Sequence, residues 1–330
     1  MSDDIYLELA EFLNGLPGGF PKTDSGAELK ILRRLFLPEE AEMAMQLRLF
    51  PEPPSVIAKR VGMEETEAAE MLESMAKKGL IMRTRGGGNS VFYQALQFVV
   101  GIYEFHVNSI DKELSELMEE LIPYVDDRAF KQFRVVPVHS AVDTTPSVAS
   151  YDRIKDLVRK YDEIAVAPCI CRLEQGHMGN ECERPHETCL TFGIGAQLYV
   201  ENGIGRKIDQ EEALDILDQA EEAALVLQAA NAKDIVNICC CCSCCCGILR
   251  GMKLQDRPAD HVSTPFQARI DPELCTSCGT CEERCQMEAI VENEDAMKVD
   301  LARCIGCGLC ISTCPEEAVS LVPLADKKRV

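Results

Sequence analysis

Between residues 25 and 100 the apolar positions first recur at helical spacing and then alternate. Ser25-Gly26-Ala27-Glu28 reads as a capping box ahead of Leu29, Ile31, Leu32, Leu35 and Phe36. Pro38 opens a second helix towards residue 50, because a proline in the first turn forfeits no helical hydrogen bond. After Pro51-Glu52-Pro53-Pro54, residues 55–61 read as a short helix stopped by Gly62. A fourth helix is expected from about residue 64 to 78, with Ala68, Met71, Leu72 and Met75 on one face and Gly79 at its end. Residues 80–85, 86–89 and 90–93 then read as strand, turn and strand.

Further on the pattern mixes. A long helix is predicted from residue 98 towards 124, a strand over 134–138, a helix over 151–160 and a strand over 163–168. Asp209-Gln210-Glu211-Glu212 is a second capping box, with Ile208 placed as a hydrophobic staple. The helix it starts is expected to reach about residue 230, with Leu214, Leu217, Ala220, Ala224 and Leu227 on one side. No apolar run attains the ~20 residues of a bilayer span. These patterns predict a multidomain α+β chain with a first domain over 1–100, a mixed α/β cysteine-rich domain over 101–265 and a last domain over 266–330.

The order of pieces in residues 25–100 resembles a winged helix-turn-helix domain of bacterial regulators. Such a fold does not bring DNA binding with it. The helix in the recognition position carries Glu64, Glu65, Glu67, Glu70 and Glu73 against Lys77 and Lys78. A helix entering the major groove must neutralise phosphates, and five carboxylates do the opposite. Arg83 and Arg85 in the wing are the only suitably placed basic feature. A packing or interaction module is therefore the expectation, and DNA is not expected as a partner.

Of the 330 residues 46% are apolar, enough for two or three cored domains, and the formal net charge is −21. A field of that sign repels nucleic acid and anionic membrane and suits a partner with a basic docking face. The start, Met1-Ser2-Asp3-Asp4, lacks the basic head of a signal peptide. A cytoplasmic location is expected, where nineteen cysteines read as metal ligands rather than as a disulfide framework.

Eight of these cysteines form two runs. Cys275-x2-Cys278-x2-Cys281-x3-Cys285 is repeated 29 residues later as Cys304-x2-Cys307-x2-Cys310-x3-Cys314-Pro315, and the flanking Asp271 recurs as Asp300. Zinc prefers paired Cys-x2-Cys units to four-cysteine runs. Short steps bring three thiolates to three corners of one cubane. The double run resembles bacterial-type two-cluster ferredoxins. That resemblance implies two [4Fe–4S] clusters with crossed fourth ligands: Cys275, Cys278, Cys281 and Cys314 on one, Cys304, Cys307, Cys310 and Cys285 on the other. Gln286 departs from the pattern by standing where proline follows the fourth cysteine, which points to a retuned second cluster.

Eleven cysteines remain: Cys169, Cys171, Cys182, Cys189 and seven of the eight residues 239–246, namely Cys239, Cys240, Cys241, Cys242, Cys244, Cys245 and Cys246. This region resembles the cysteine-rich part of iron–sulfur proteins of anaerobes that carry a C-terminal ferredoxin, a likeness that transfers no activity. Three readings compete. One is one or two additional [4Fe–4S] clusters on Cys169, Cys171, Cys182, Cys189 and the 239–246 loop, with Cys240 taken as a non-ligand. Another is zinc on Cys182-x3-His186-x2-Cys189, and the third is an open-site cluster that binds substrate. His177 and His186 are expected to be neighbours rather than ligands, and Arg172 and Arg206 to pair with local acids. The glycines around residues 193–205 lack the strand–GxGxxG–helix order of a dinucleotide site.

The expected function is an electron-transfer protein or redox-complex subunit that relays low-potential electrons through its clusters. Its alternatives are an oxidoreductase with an open-site cluster in the middle domain and a redox-sensing winged-helix regulator.

Overall fold

The computed structural model describes residues 2–138, 141 and 153–324, and the fold mixes helix and sheet. Two compact units are formed. One comprises Met1–Ala129, Leu173–Glu181 and Leu198–Ile204, the other Phe130–Arg172, Cys182–Gln197 and Gly205–Val330.

The first unit opens with helices Ser2–Asn14, Ala27–Leu35, Pro38–Met45, Pro54–Val61 and Glu65–Lys78. They bury Leu9, Leu13, Ile31, Leu32, Ile57 and Leu72. Gly62 and Gly79 end their helices at φ 71° and 84°, a conformation that side chains resist. A hairpin follows, with β1 (Met82–Arg85) antiparallel to β2 (Val91–Gln94) and Arg85 opposite Val91. The cap of the second helix is not at Ser25. Thr23 Oγ1 accepts from the Ala27 amide at 2.9 Å, and the buried Glu28 reaches back to the Thr23 amide at 3.1 Å. The third helix stops at Met45 rather than near residue 50. The long helix expected over 98–124 is broken: Asp111 caps a separate helix, Lys112–Leu121, by accepting from the Leu114 amide at 3.0 Å.

The second unit is built on a six-stranded antiparallel sheet. Its strands are β3 (Phe133–Val136), β4 (Ile164–Pro168), β5 (Glu187–Phe192), β6 (Arg206–Ile208), β7 (Val226–Ala230) and β8 (Asn237–Cys241). They lie in the order β3-β7-β8-β5-β4-β6. Helix Gln210–Glu222 packs on β4, β5 and β7 and is capped by Asp209, which accepts from the Glu212 amide at 2.9 Å. It ends eight residues before the expected point, and the apolar tail assigned to it becomes strand β7. Ala224, at φ 56°, makes the break. The helix expected over 151–160 is seen as Ile154–Val158, and residues 151–152 lie outside the described residues.

The C-terminal module follows with β9 (Phe266–Ile270), β10 (Ile290–Asn293), β11 (Ala296–Val299) and β12 (Val319–Pro323). β9 pairs with β12 and β10 with β11, both antiparallel. The 29-residue repeat of the sequence extends to the backbone. Ser277 and Gly306, Gly279 and Gly308, and Glu288 and Glu317 are equivalent positions, and all six have positive φ. The two halves share one core of Ala268, Cys281, Ile290, Met297, Cys310 and Val319. No helix among the described residues is long and apolar enough to cross a membrane.

Candidate metal centres

In the C-terminal module the eight cysteines face two separate cavities. Cys275, Cys278, Cys281 and Cys314 line one, with Met297 and Ala318 beside them. Cys285, Cys304, Cys307 and Cys310 line the other, with Ala268 and Ala289. Each cavity thus takes three cysteines from one run and the fourth from the other. Amide N–H groups aim at the sulfurs: Met297 at Cys275 (3.4 Å), Ala268 at Cys304 (3.3 Å), Ala289 at Cys285 (3.2 Å) and Ala318 at Cys314 (3.3 Å). These four bonds form two pairs related by the 29-residue repeat. Hydrogen bonds to thiolate sulfur stabilise the extra negative charge of a reduced cluster. Burial pushes the Cys307 thiol up to about 12 and raises Cys310 as well, so a bound cation is what makes thiolates of them. Four thiols around one cavity, with amides on their sulfurs, fit a cubane. Cys278 is exposed and marks the solvent edge of the first cavity.

The middle cysteines separate into two groups and one outlier. The first group is made by the sheet. Cys189 on β5 stands opposite Cys239 on β8, and side chains two apart on a strand share a face, which adds Cys241. Cys189 and Cys241 each hydrogen-bond Cys239, while Cys246 joins Cys241 and Cys171, and Cys171 joins Cys169. Six thiols, of Cys169, Cys171, Cys189, Cys239, Cys241 and Cys246, therefore form one continuous chain. Gln228 Nε2 reaches Cys246 Sγ at 3.7 Å and Asn237 Nδ2 reaches Cys239 Sγ at 3.5 Å. Hydrogen bonds from neighbouring thiols hold Cys239 and Cys246 well below the usual thiol range. Alternation along β8 turns Cys240 to the opposite face, where it is buried and its thiol is pushed up by desolvation.

The second group is Cys182, Cys242, Cys244 and Cys245, whose four sulfurs all lie within 4.8 Å of one another. Cys182 Sγ is 4.0 Å from Cys242 Sγ and 3.9 Å from Cys244 Sγ, and Cys244 and Cys245 are 3.7 Å apart. The turn that gathers them is held by the Cys242 carbonyl, which accepts from the Cys246 amide at 3.0 Å. Arg184 Nη1 lies 3.4 Å from Cys244 Sγ, and Arg172 Nη2 lies 3.7 Å from Cys242 Sγ. A hydrogen bond from Cys245, together with the Arg172 charge, holds the Cys242 thiol down at about 5 against its burial. Burial pushes Cys244 up to about 11.

Arg172 does not pair with an acid as expected. It is 1% exposed, and its partners are Thr188 Oγ1 (2.7 Å), the Cys240 carbonyl (3.0 Å) and Cys242 Sγ. Arg206 does pair with acids, Glu187 and Glu212. The set Cys182, His186 and Cys189 is not brought together: Cys182 lies in the four-thiol group and Cys189 in the six-thiol chain, while His186 Nε2 is 3.2 Å from the Cys182 carbonyl. His177 Nδ1 is 3.1 Å from Ser115 Oγ. Sequence reasoning missed Arg184, whose signal was only a basic residue two positions after a cysteine. It also missed the bond between the two irregular positions of the motifs: Ser243, the sole non-cysteine of residues 239–246, donates from its amide (2.9 Å) and from its hydroxyl (3.1 Å) to Gln286 Oε1.

Residues 268–321 match the family model of a 4Fe-4S dicluster domain. No curated protein and no solved structure matches the chain. The domain match and the gathered cysteines together support iron–sulfur clusters as cofactors and a redox or electron-transfer role.

Proposed function

We propose that this chain is a cytoplasmic iron–sulfur electron-transfer protein that relays low-potential electrons to or from a partner redox enzyme. Two [4Fe–4S] clusters sit in a ferredoxin domain over 266–330, on the crossed cysteine sets, and a further cluster sits on the six-thiol chain of a cysteine-rich domain over 101–265. The observation that carries this reading is the pair of four-cysteine cavities within the residues that match a dicluster domain. When bound, such clusters supply reversible one-electron transfer. The chain's own part is to place the thiolates, to donate N–H bonds to their sulfurs and to keep bulk water from the inner cavity.

Exposure and contact support an order of centres along the relay. Cys278 opens the first cavity to solvent, where a partner with a basic face would dock on this acidic chain. Gln286, next to Cys285 of the second cavity, bonds to Ser243 of the cysteine-rich loop. Electrons would thus pass, in either direction, between the Cys278 end and the cysteine-rich loop.

The winged-helix-like domain over 1–100 acts in this reading as a packing or docking module. Its two wing arginines are engaged: Arg83 by Glu73 at 2.6 Å and by Glu201 at 2.5 Å, and Arg85 by Glu201 at 2.8 Å. Arg83 is buried among these carboxylates and Arg85 shares Glu201, which disfavours the regulator alternative.

The test is anaerobic redox titration of the full-length protein followed by EPR, with iron and sulfide counted per chain. Two ferredoxin-type signals reduced reversibly at low potential, plus a third cluster, are expected. Iron reduced only at high potential or irreversibly would overturn the relay.

A further inference from the structure

The four-thiol group has a geometry that differs in kind from the cluster cavities. A tetrahedral ion with metal–sulfur bonds of about 2.3 Å sets its ligand sulfurs about 3.8 Å apart. Of the six sulfur separations in the group three are 3.7, 3.9 and 4.0 Å, and all six are within 4.8 Å. A cubane instead places each thiolate on a different iron, with core sulfides between, and needs an open cavity such as those lined by the ferredoxin cysteines. Sulfurs already at tetrahedral contact leave space for one ion and none for a core.

Charge gives a second, independent argument. Arg172 is almost wholly buried, and among the described residues no carboxylate pairs with it. A buried guanidinium without an anion is strongly disfavoured. Its remaining partner is Cys242 Sγ, while Arg184 lies on Cys244 Sγ. Four thiolates on a divalent ion carry a net charge of −2, which the two guanidinium groups balance.

We propose that Cys182, Cys242, Cys244 and Cys245 bind a single tetrahedral thiophilic divalent cation, zinc or ferrous iron, without inorganic sulfide and separate from every cluster. The ion ties residues 182–184 to the loop that carries Ser243, and so fixes the point at which the loop meets Gln286. It requires neither the ferredoxin clusters nor the relay to exist.

Full-length protein isolated anaerobically should contain, per chain, one metal ion unmatched by sulfide. If the ion is zinc, X-ray absorption at its edge should show four sulfur neighbours at about 2.3 Å. If it is iron, Mössbauer spectra should contain one high-spin ferrous site outside the spin-coupled clusters. Cys244→Ser, altering the exposed member of the group, should release that ion and leave sulfide content and the ferredoxin EPR signals unchanged. The inference is overturned if intact protein lacks zinc and all its iron is spin-coupled, or if Cys244→Ser loses iron and sulfide together as a whole cluster. The measurement on intact protein needs no variant, so misfolding of Cys244→Ser leaves the answer open to neither side. A missing pair of low-potential signals would sink the relay and leave this arm standing.

Discussion

Ser243 and Gln286 hydrogen-bond twice, amide and hydroxyl both donating to one carboxamide oxygen at 2.9 and 3.1 Å. Each residue is the irregular position of its own motif. Ser243 interrupts the cysteines of residues 239–246, and Gln286 replaces the proline of the ferredoxin pattern. Proline has no side-chain acceptor to offer, so the substitution creates a connection that the ordinary ferredoxin residue could not make. Gln286→Ala is expected to leave a part-buried amide and hydroxyl without their acceptor, costing about 1–3 kcal/mol. It should also alter the midpoint potential and EPR line shape of the cluster proposed on Cys285, while the one proposed on Cys278 stays as it was. Equal shifts in both clusters, or none in either, would count against a local link.

A sharper division is expected among the cysteines of β8. Cys239 faces the six-thiol chain and Cys240 faces away from it, buried in the opposite layer. Cys240→Ala should keep the full complement of iron and sulfide and lose about 1–2 kcal/mol of stability from a small void. Cys239→Ala should lose a cluster. Metal analysis of the two variants decides the matter, and iron lost from Cys240→Ala would contradict the assignment.

The difference between these neighbours shows what the sequence could and could not convey. The two groups of four cysteines that line the C-terminal cavities were legible because cysteines and repeat lie within one short stretch, and three of every four thiols are neighbours in sequence. The middle cysteines were not divisible by spacing, because their grouping depends on β5 lying against β8 and on a turn at Cys242–Cys246 that gathers Cys182 from sixty residues away. Helix ends failed for local reasons. Thr23 rather than Ser25 takes the first helical amide, held by Glu28 reaching back to it, with Gly26 at the N-cap, and the run through Leu225 and Leu227 fits a buried strand as well as a helix face. Ala224 gave no sign of its left-handed turn, which glycine would have announced.

Arg172 should be the most sensitive position outside the cysteines. Arg172→Met removes the positive charge facing Cys242 and leaves buried thiolates less compensated, at an expected cost of about 3–5 kcal/mol. Arg172→Lys keeps the charge and loses the planar fork that spans Thr188, Cys240 and Cys242, so its loss should be intermediate. Thermal denaturation and metal retention under chelator, compared across the three proteins, provide the ranking. If Arg172→Met matches the parent in both, charge balance is not what placed this residue.

The repeat in the ferredoxin module supplies a paired test of backbone geometry. Gly306 and Ser277 occupy equivalent positions with φ of 68° and 53°, but their surroundings differ. A Cβ on Gly306 would come within 2.2 Å of the Phe266 carbonyl oxygen on β9, whereas Ser277 is half-buried and its hydroxyl donates to the Asp295 carbonyl at 3.2 Å. Gly306→Ala must both hold a left-handed conformation, at about 1–2 kcal/mol, and displace β9, for a total of at least about 3 kcal/mol. Because the amide of Ala268 on that same strand bonds to Cys304 Sγ, moving β9 should also disturb the EPR signal of the cluster proposed on Cys304. Ser277→Gly relieves the backbone and gives up one exposed hydrogen bond, so its effect should stay within about 1 kcal/mol of zero. Denaturation of both variants with clusters loaded measures the contrast, and a Gly306→Ala protein as stable as the parent would mean that β9 yields freely at Phe266.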